Sequence, residues 1–146
     1  MKIAIVTNSS WSAYNFRFNL ARAFIEDGND VIFIIPFDND YSKKLKERFE
    51  CYDLIIDPKS INPLKDLKTF FNLLRIYNQV KPDIICHFTI KLNIYGSIAA
   101  RFNNIPSLSN ITGLGTLFIQ KNIITYFSEL LYKLSLRFSY KTFFQN

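Results

Sequence analysis

Short apolar runs alternate with longer helical stretches along the whole chain, and this alternation decides what it can fold into. KIAIVT (Lys2–Thr7) and DVIFIIP (Asp30–Pro36) are unbroken apolar segments, as expected of strands covered on both faces. Tyr52–Ile56, IICHF (residues 84–88) and Ser107–Asn110 read as a third, fourth and fifth strand, and Lys141–Phe144 begins a sixth. Between them lie helical patterns. One spans about Ala13–Asp27, with Phe16, Leu20, Ala23 and Phe24 on one face and Gly28 as a stop signal. A short charged helix is expected near Tyr41–Phe49. The next is started by Asn62-Pro63 and buries Leu64, Leu67, Phe70, Phe71, Leu74 and Tyr77. A fourth lies near Leu92–Phe102, where Gly96, Ala99 and Ala100 permit close packing on a sheet. A fifth spans about Ile123–Phe138. Strand–helix alternation implies parallel pairing with right-handed crossovers, hence an α/β, Rossmann-like, doubly wound sheet of about six strands in the order 3-2-1-4-5-6. With 146 residues and no linker or repeat, residues 1–146 are read as one domain.

Ligands of such sheets bind outside the carboxyl ends of the strands. Three polar loops fall there. Asn8, Ser9, Ser10 and Trp11 follow the first strand, Thr89, Lys91 and Asn93 follow the fourth, and Thr112, Gly113, Leu114 and Gly115 follow the fifth. The chain has only four glycines, so Gly113 and Gly115 two apart mark a special turn. Exposed backbone N–H groups there suit phosphate or a sugar hydroxyl; a tight turn serving only packing explains the pair as well. His87, the single histidine, ends an apolar strand beside a polar loop, from where it either makes a structural hydrogen bond or reaches the crevice. The three loops hold donors for sugar hydroxyls and phosphates but no Asp or Glu, so paired-carboxylate acid/base chemistry lacks its residues in them.

Other chemistries are excluded more directly. No GxGxxG follows the first strand, which argues against nicotinamide and flavin enzymes, and no GxxxxGK[ST] is present. Cys51 and Cys86 stand alone in apolar segments, far from a metal-ligand spacing, and read as reduced core thiols of a cytosolic protein. No metal or cofactor is expected. MKIAIV runs straight into a strand without a signal-peptide pattern, and no apolar run is long enough to span a bilayer. Charge is uneven: residues 1–40 carry three Lys/Arg against five Asp/Glu, and residues 41–146 carry fifteen against seven. That balance suits anionic lipid, a phosphorylated ligand or a merely solvated basic face. The last helix sets Ile123, Phe127, Leu130, Leu131, Leu134 and Phe138 on one face beside Lys133, Arg137 and Lys141, a pattern open to core burial or to a bilayer surface.

The stretch HFTIKLNIYGSIAARFNNIPSLSNITGLGTLF resembles TIKPNIYGxxAA…IPxxxNITGLGxxF of bacterial family 4 glycosyltransferases of surface-polysaccharide and glycan assembly. The opening KIAIVTNSSWSAYNFRFNLARAF and the closing KTFFQN are similar to the same proteins. The resemblance implies the N-terminal half of a two-domain GT-B fold, with transfer from a nucleotide-sugar donor, retention of anomeric configuration and no metal. It implies that this half binds the acceptor, a saccharide or polyprenyl-diphosphate-linked saccharide, at the inner membrane face. It makes His87 the histidine beside the transferred sugar, and Thr112–Gly115 the family's TGLG loop. The first crevice loop departs from the family in having no glycine. The donor-binding half with its paired glutamates is expected elsewhere, in a longer product or a partner chain. Two further readings are a non-catalytic subunit that docks a catalytic partner to an anionic membrane, and an unrelated nucleotide-binding Rossmann domain. No nucleic-acid partner is expected.

Overall fold

A computed structural model of the chain describes residues 1–112 and 123–145. Six parallel strands, β1 (Lys2–Val6), β2 (Asp30–Ile35), β3 (Glu50–Asp53), β4 (Ile84–Phe88), β5 (Ser107–Ile111) and β6 (Lys141–Phe144), form one sheet. Their order is β3-β2-β1-β4-β5-β6, as the alternation predicts. The connections are α1 (Ser10–Glu26), α2 (Asp40–Lys46), α3 (Pro63–Val80), a π-turn (Leu92–Gly96) running into α4 (Ser97–Phe102), and α5 (Ile123–Phe138).

Two apolar layers clamp the sheet. On one face Ala13, Ala21, Phe33, Leu45, Phe49 and Cys86 pack under α1 and α2; on the other Val6, Ile34, Leu73, Tyr77, Ile85 and Leu92 pack under α3, the π-turn and α4. The central strands are nearly all apolar because both faces are covered. The edge strand β3 differs. It pairs from Ile32↔Glu50 to Ile35↔Asp53, two residues earlier than the apolar segment Tyr52–Ile56 suggests. Backbone register with β2 sets the strand, while Leu54 and Ile56 pack on the core from the connector that follows it.

Local signals behave as their chemistry requires. Ser9 caps α1, Asn39 caps α2 and Asn62 caps α3, each accepting a first-turn N–H with its side-chain oxygen. Gly28 closes α1 in the left-handed region at φ 79°, which a glycine adopts freely. Helix faces were harder to read. Thr69, Leu73, Ile76, Tyr77 and Val80 form the buried stripe of α3, whereas Leu64, Leu67 and Phe71, expected inside, are exposed. In α1, Ala13, Phe18, Leu20, Ala21 and Phe24 face the sheet, and Phe16 does not. In α5, Tyr132 and Ser135 are buried and Leu131 and Leu136 pack partly, while Leu130, Leu134 and Phe138 point to solvent. Each of these helices carries two apolar stripes, and contact with the sheet selects one.

Candidate functional site

The chain leaves β1 toward β2 on one side and reaches β4 on the other, so the carboxyl ends of β1 and β4 frame a topological switch point. Val6 pairs with His87 and Phe88 with Asn110, which sets Thr7–Ser9 beside Phe88–Thr89 and Thr89 beside Ile111–Thr112. Asn8 and Ser9 are partly exposed at this edge, and the first turn of α1 starts there with its N–H groups unpaired by helix bonds. Thr7 donates from Oγ1 to the Ser9 carbonyl at 2.9 Å, which tightens the loop. Trp11 is exposed and meets Phe16 edge-on at 5.2 Å.

Ser10 is buried beneath the loop after β2. Its hydroxyl lies against Asp38 Oδ1 and, at 2.7 Å, Asn39 Oδ1. A carboxylate from a fourth loop therefore stands at the N-terminus of α1. Nothing in FDND marks Asp38 as a site residue except its place after a buried strand.

Thr89 is one of three non-glycine residues with positive φ among the described residues, and the β-branched one. It has φ 84°, a region that β-branched residues rarely enter, and its Oγ1 is buried without a hydrogen-bond partner among the described residues. Such strain persists only where the surroundings impose it, and it concentrates at binding sites. Next to it, Asn93 in the π-turn donates from Nδ2 to the Asn110 carbonyl at 3.0 Å, and Asn110 donates from Nδ2 to the His87 carbonyl at 3.2 Å. This relay locks the ends of β4 and β5 together. Asn93 also bonds the Tyr132 side chain, partly offsetting the rise that burial causes in that phenol's pKa. Thr112 is exposed at the end of β5; Gly113, Leu114 and Gly115 lie outside the described residues.

His87 and Lys91 do not face the crevice. The His87 ring is wholly buried between the sheet, α3 and the π-turn, and its Nε2 shares a 2.8 Å hydrogen bond with the Tyr77 hydroxyl. Burial pushes its pKa down to about 3, so the ring is neutral at physiological pH. Lys91 reaches back to the start of α3. Its ammonium bonds Asp66 Oδ1 at 2.7 Å, the Asp57 carbonyl at 2.9 Å and the Ser60 carbonyl, using all three protons. Of the two readings open for His87, this arrangement has the structural hydrogen bond, and Lys91 bonds within the fold where a reach toward a ligand was expected.

Arg17 was not singled out by its sequence context. From α1 its guanidinium stacks 4.0 Å over the Phe88 ring and donates to Gln145 Oε1 at 3.2 Å. It joins α1, β4 and the end of β6 at the carboxyl edge, and burial lowers its pKa. Cys51 and Cys86 are free thiols, each raised to about 11 by burial, which leaves them protonated and unreactive. Among the described residues no His, Cys, Asp or Glu cluster could hold a metal ion, and no helix is long and apolar enough to cross a membrane.

Residues 2–146 match the family model described as Glycosyl transferase 4-like. The chain belongs to that family. A relative of this glycosyl transferase 4-like chain, the N,N'-diacetylbacillosaminyl-diphospho-undecaprenol alpha-1,3-N-acetylgalactosaminyltransferase of Campylobacter jejuni, is 29% identical over 154 aligned positions. The alignment takes in 100% of this chain and 40% of that relative, so the chain spans about two-fifths of the relative's length. Solved structures share the fold. MurG of Acinetobacter baumannii matches at TM-score 0.59 and 24% identity, over 75% of this chain and 34% of its own. The UDP-GlcNAc 2-epimerase of Methanocaldococcus jannaschii matches at TM-score 0.68 and 18% identity, over 100% and 40%. HepE of Anabaena, solved with UDP and glucose, matches at TM-score 0.66 and 14% identity, over 97% and 37%. The family and the all-parallel sheet fit the Rossmann-like N-terminal half of a GT-B protein.

Proposed function

We propose that this chain is the acceptor-side half of a retaining, metal-independent glycosyltransferase. In this reading it moves a sugar from a nucleotide-sugar donor to a polyprenyl-diphosphate-linked saccharide during glycan assembly. The observation that carries the proposal is the family match along residues 2–146, joined to a relative whose name specifies transfer to a diphospho-undecaprenol-linked sugar. The crevice supports it chemically. Asn8, Ser9 and Thr112 offer hydroxyl and amide groups at the switch point, as a saccharide requires, with the buried Thr89 hydroxyl, unpartnered among the described residues, beneath them, and the first turn of α1 suits a phosphate. In this reading Gly113, Leu114 and Gly115 also bind substrate. In this reading Lys91 and Asn93 shape the loop, and His87 acts beside the sugar only if its ring leaves the Tyr77 pocket on binding. The donor pocket belongs to a second half, within a longer product or a partner chain, and the assembly works at the inner face of the cytoplasmic membrane.

The test is sugar transfer by purified protein. The 146-residue chain alone is expected to transfer nothing from any nucleotide sugar. The same chain joined to its donor-binding half should glycosylate an undecaprenyl-diphosphate-linked saccharide without added metal. Turnover by the chain alone overturns the division of labour, and inactivity of the joined protein across donors and lipid-linked acceptors overturns the function.

A further inference from the structure

Three large apolar side chains on the first half of α3 stand in solvent: Leu64 is 70% exposed, Leu67 49% and Phe71 56%. Their spacing of three and four residues makes them one stripe. Together with Lys65 and Lys68 they line a shallow, open groove whose walls are almost entirely apolar. Ile61 lies exposed just ahead of the helix, and Phe102 of α4, also exposed, meets Phe70 at 6.1 Å. Scattered exposed hydrophobics are ordinary, but a contiguous apolar patch marks a contact surface. The stripe is not a leftover of poor packing, because α3 is anchored by a separate buried stripe through Leu73, Ile76, Tyr77 and Val80.

The two acidic groups beside the stripe, Asp57 and Asp66, are both paired. Asp66 is balanced by Lys91 and accepts a hydrogen bond from the Tyr95 hydroxyl, and Asp57 and Lys65 balance each other. Lys68 takes part in no ion pair among the described residues. Long lysine stems beside apolar side chains can lie along an apolar surface while their ammonium groups stay at its polar boundary. The location fits too. Lys91, just past the carboxyl end of β4, reaches Asp66 in the first turn of α3, so the stripe begins at the edge of the sheet that holds the crevice.

We infer that the Leu64–Leu67–Phe71 stripe is the face on which this domain lies against an anionic lipid bilayer, with its crevice beside the headgroups. The inference rests on the reading of the chain as a domain that works on a lipid-linked acceptor. Lipid suits the surface better than a protein partner. A few side chains fall well short of the roughly 800 Å² per partner that a standard protein interface buries, and a second copy would oppose lysine to lysine. An amphipathic helix with lysines flanking its apolar face matches the bilayer boundary.

Vesicle co-sedimentation of the purified chain tests this without any need for turnover. Wild type should bind vesicles of phosphatidylethanolamine with phosphatidylglycerol in a salt-sensitive manner, and bind pure phosphatidylcholine far less. Leu67→Asp and Phe71→Asp should each lower partitioning at least tenfold with unchanged thermal melts, since both side chains are exposed. Lys68→Glu should weaken binding to the anionic vesicles only. Leu130→Asp and Leu134→Asp, on the exposed face of α5, should bind as wild type does. Loss of binding in the α5 variants with retention in the α3 variants overturns the assignment and leaves a membrane-bound domain. Absent binding, or equal binding to both vesicle types, overturns the lipid surface while leaving the transfer assay to judge the glycosyltransferase reading. A dimer in solution that Phe71→Asp dissolves would make the stripe a self-interface and overturn the inference.

Discussion

A side chain on Gly96 and the imidazole of His87 would occupy the same space. A Cβ on Gly96 would lie 2.4 Å from His87 Nε2 and 2.5 Å from Cδ2. The glycine has ordinary helical angles, so close approach and not backbone freedom is what the position requires. Gly96→Ala must displace a buried ring that is bonded to Tyr77, and overpacking of that kind costs about 1–3 kcal/mol. In a His87→Ala background the clash is gone, and the same change should cost less than about 0.5 kcal/mol. Urea unfolding of the four members of this cycle measures the coupling. Equal costs in both backgrounds would show that the ring is not what excludes the side chain.

The same burial makes the domain acid-sensitive well above the range of its carboxylates. The folded-state pKa of His87, about 3, lies below the unfolded value of 6.5. As pH falls, the unfolded chain therefore takes up the proton first. Stability is whole above about pH 6.5 and declines toward pH 3, by at most about 1.4 kcal/mol per pH unit from this group. Unfolding at pH 7 and pH 5 should differ by up to about 2 kcal/mol, and His87→Gln should remove most of that difference. A His87→Gln variant with the wild-type pH dependence would place the titration elsewhere.

Lys91→Ala should act on stability. The Lys91–Asp66 pair is 2.7 Å long, with side chains only 16% and 13% exposed. Removing the ammonium leaves a nearly buried carboxylate with Tyr95 and strips a donor from two carbonyls. Breaking a fully buried pair costs about 3–5 kcal/mol, and the residual exposure here brings the expectation to about 2–3 kcal/mol. A melting point lower by about 5–10 °C follows for a domain of this size. A melt within a degree of wild type would free Lys91 for a ligand role.

Strand order was legible because it depends on the alternation of short apolar runs with helices, a pattern local to each segment. The cap at Asn62 was legible too, because it acts on the Leu64 N–H two residues away. The caps at Ser9 and Asn39 were not read, and α1 starts three residues before the expected Ala13. The partners of His87 and Lys91 were not legible. Tyr77 and Asp66 both lie on α3, 10 and 25 residues away, and no motif links them. Asp38 was missed for the same reason: it meets Ser10 only because β1 and β2 are neighbours, 28 residues apart in sequence. Helix faces failed where two apolar stripes compete, as Leu64 and Leu67 do with Leu73 and Ile76 on α3. Spacing alone assigns a stripe to an angle on the helix, and the sheet decides which angle is inside.

Thr89 offers the sharpest separation of stability from function. At φ 84° its β-branched side chain stores strain of about 1–3 kcal/mol, and its buried Oγ1 has no partner among the described residues. The backbone there is otherwise well held, since the Thr89 carbonyl accepts the Asn93 N–H at 2.9 Å. Thr89→Gly relieves the strain and removes the orphaned hydroxyl, against a flexibility penalty of about 0.5–1 kcal/mol in the unfolded chain. The variant should melt at or above wild type. Thr89→Val keeps the branching and the strain but loses the hydroxyl, and it should melt close to wild type. If the hydroxyl is held in place for a ligand, both variants should reduce sugar transfer by the completed enzyme at least tenfold. Thermal melts of the chain and steady-state kinetics of the joined protein decide it. Unchanged turnover in both variants would make the strained threonine a packing accident at the crevice rim.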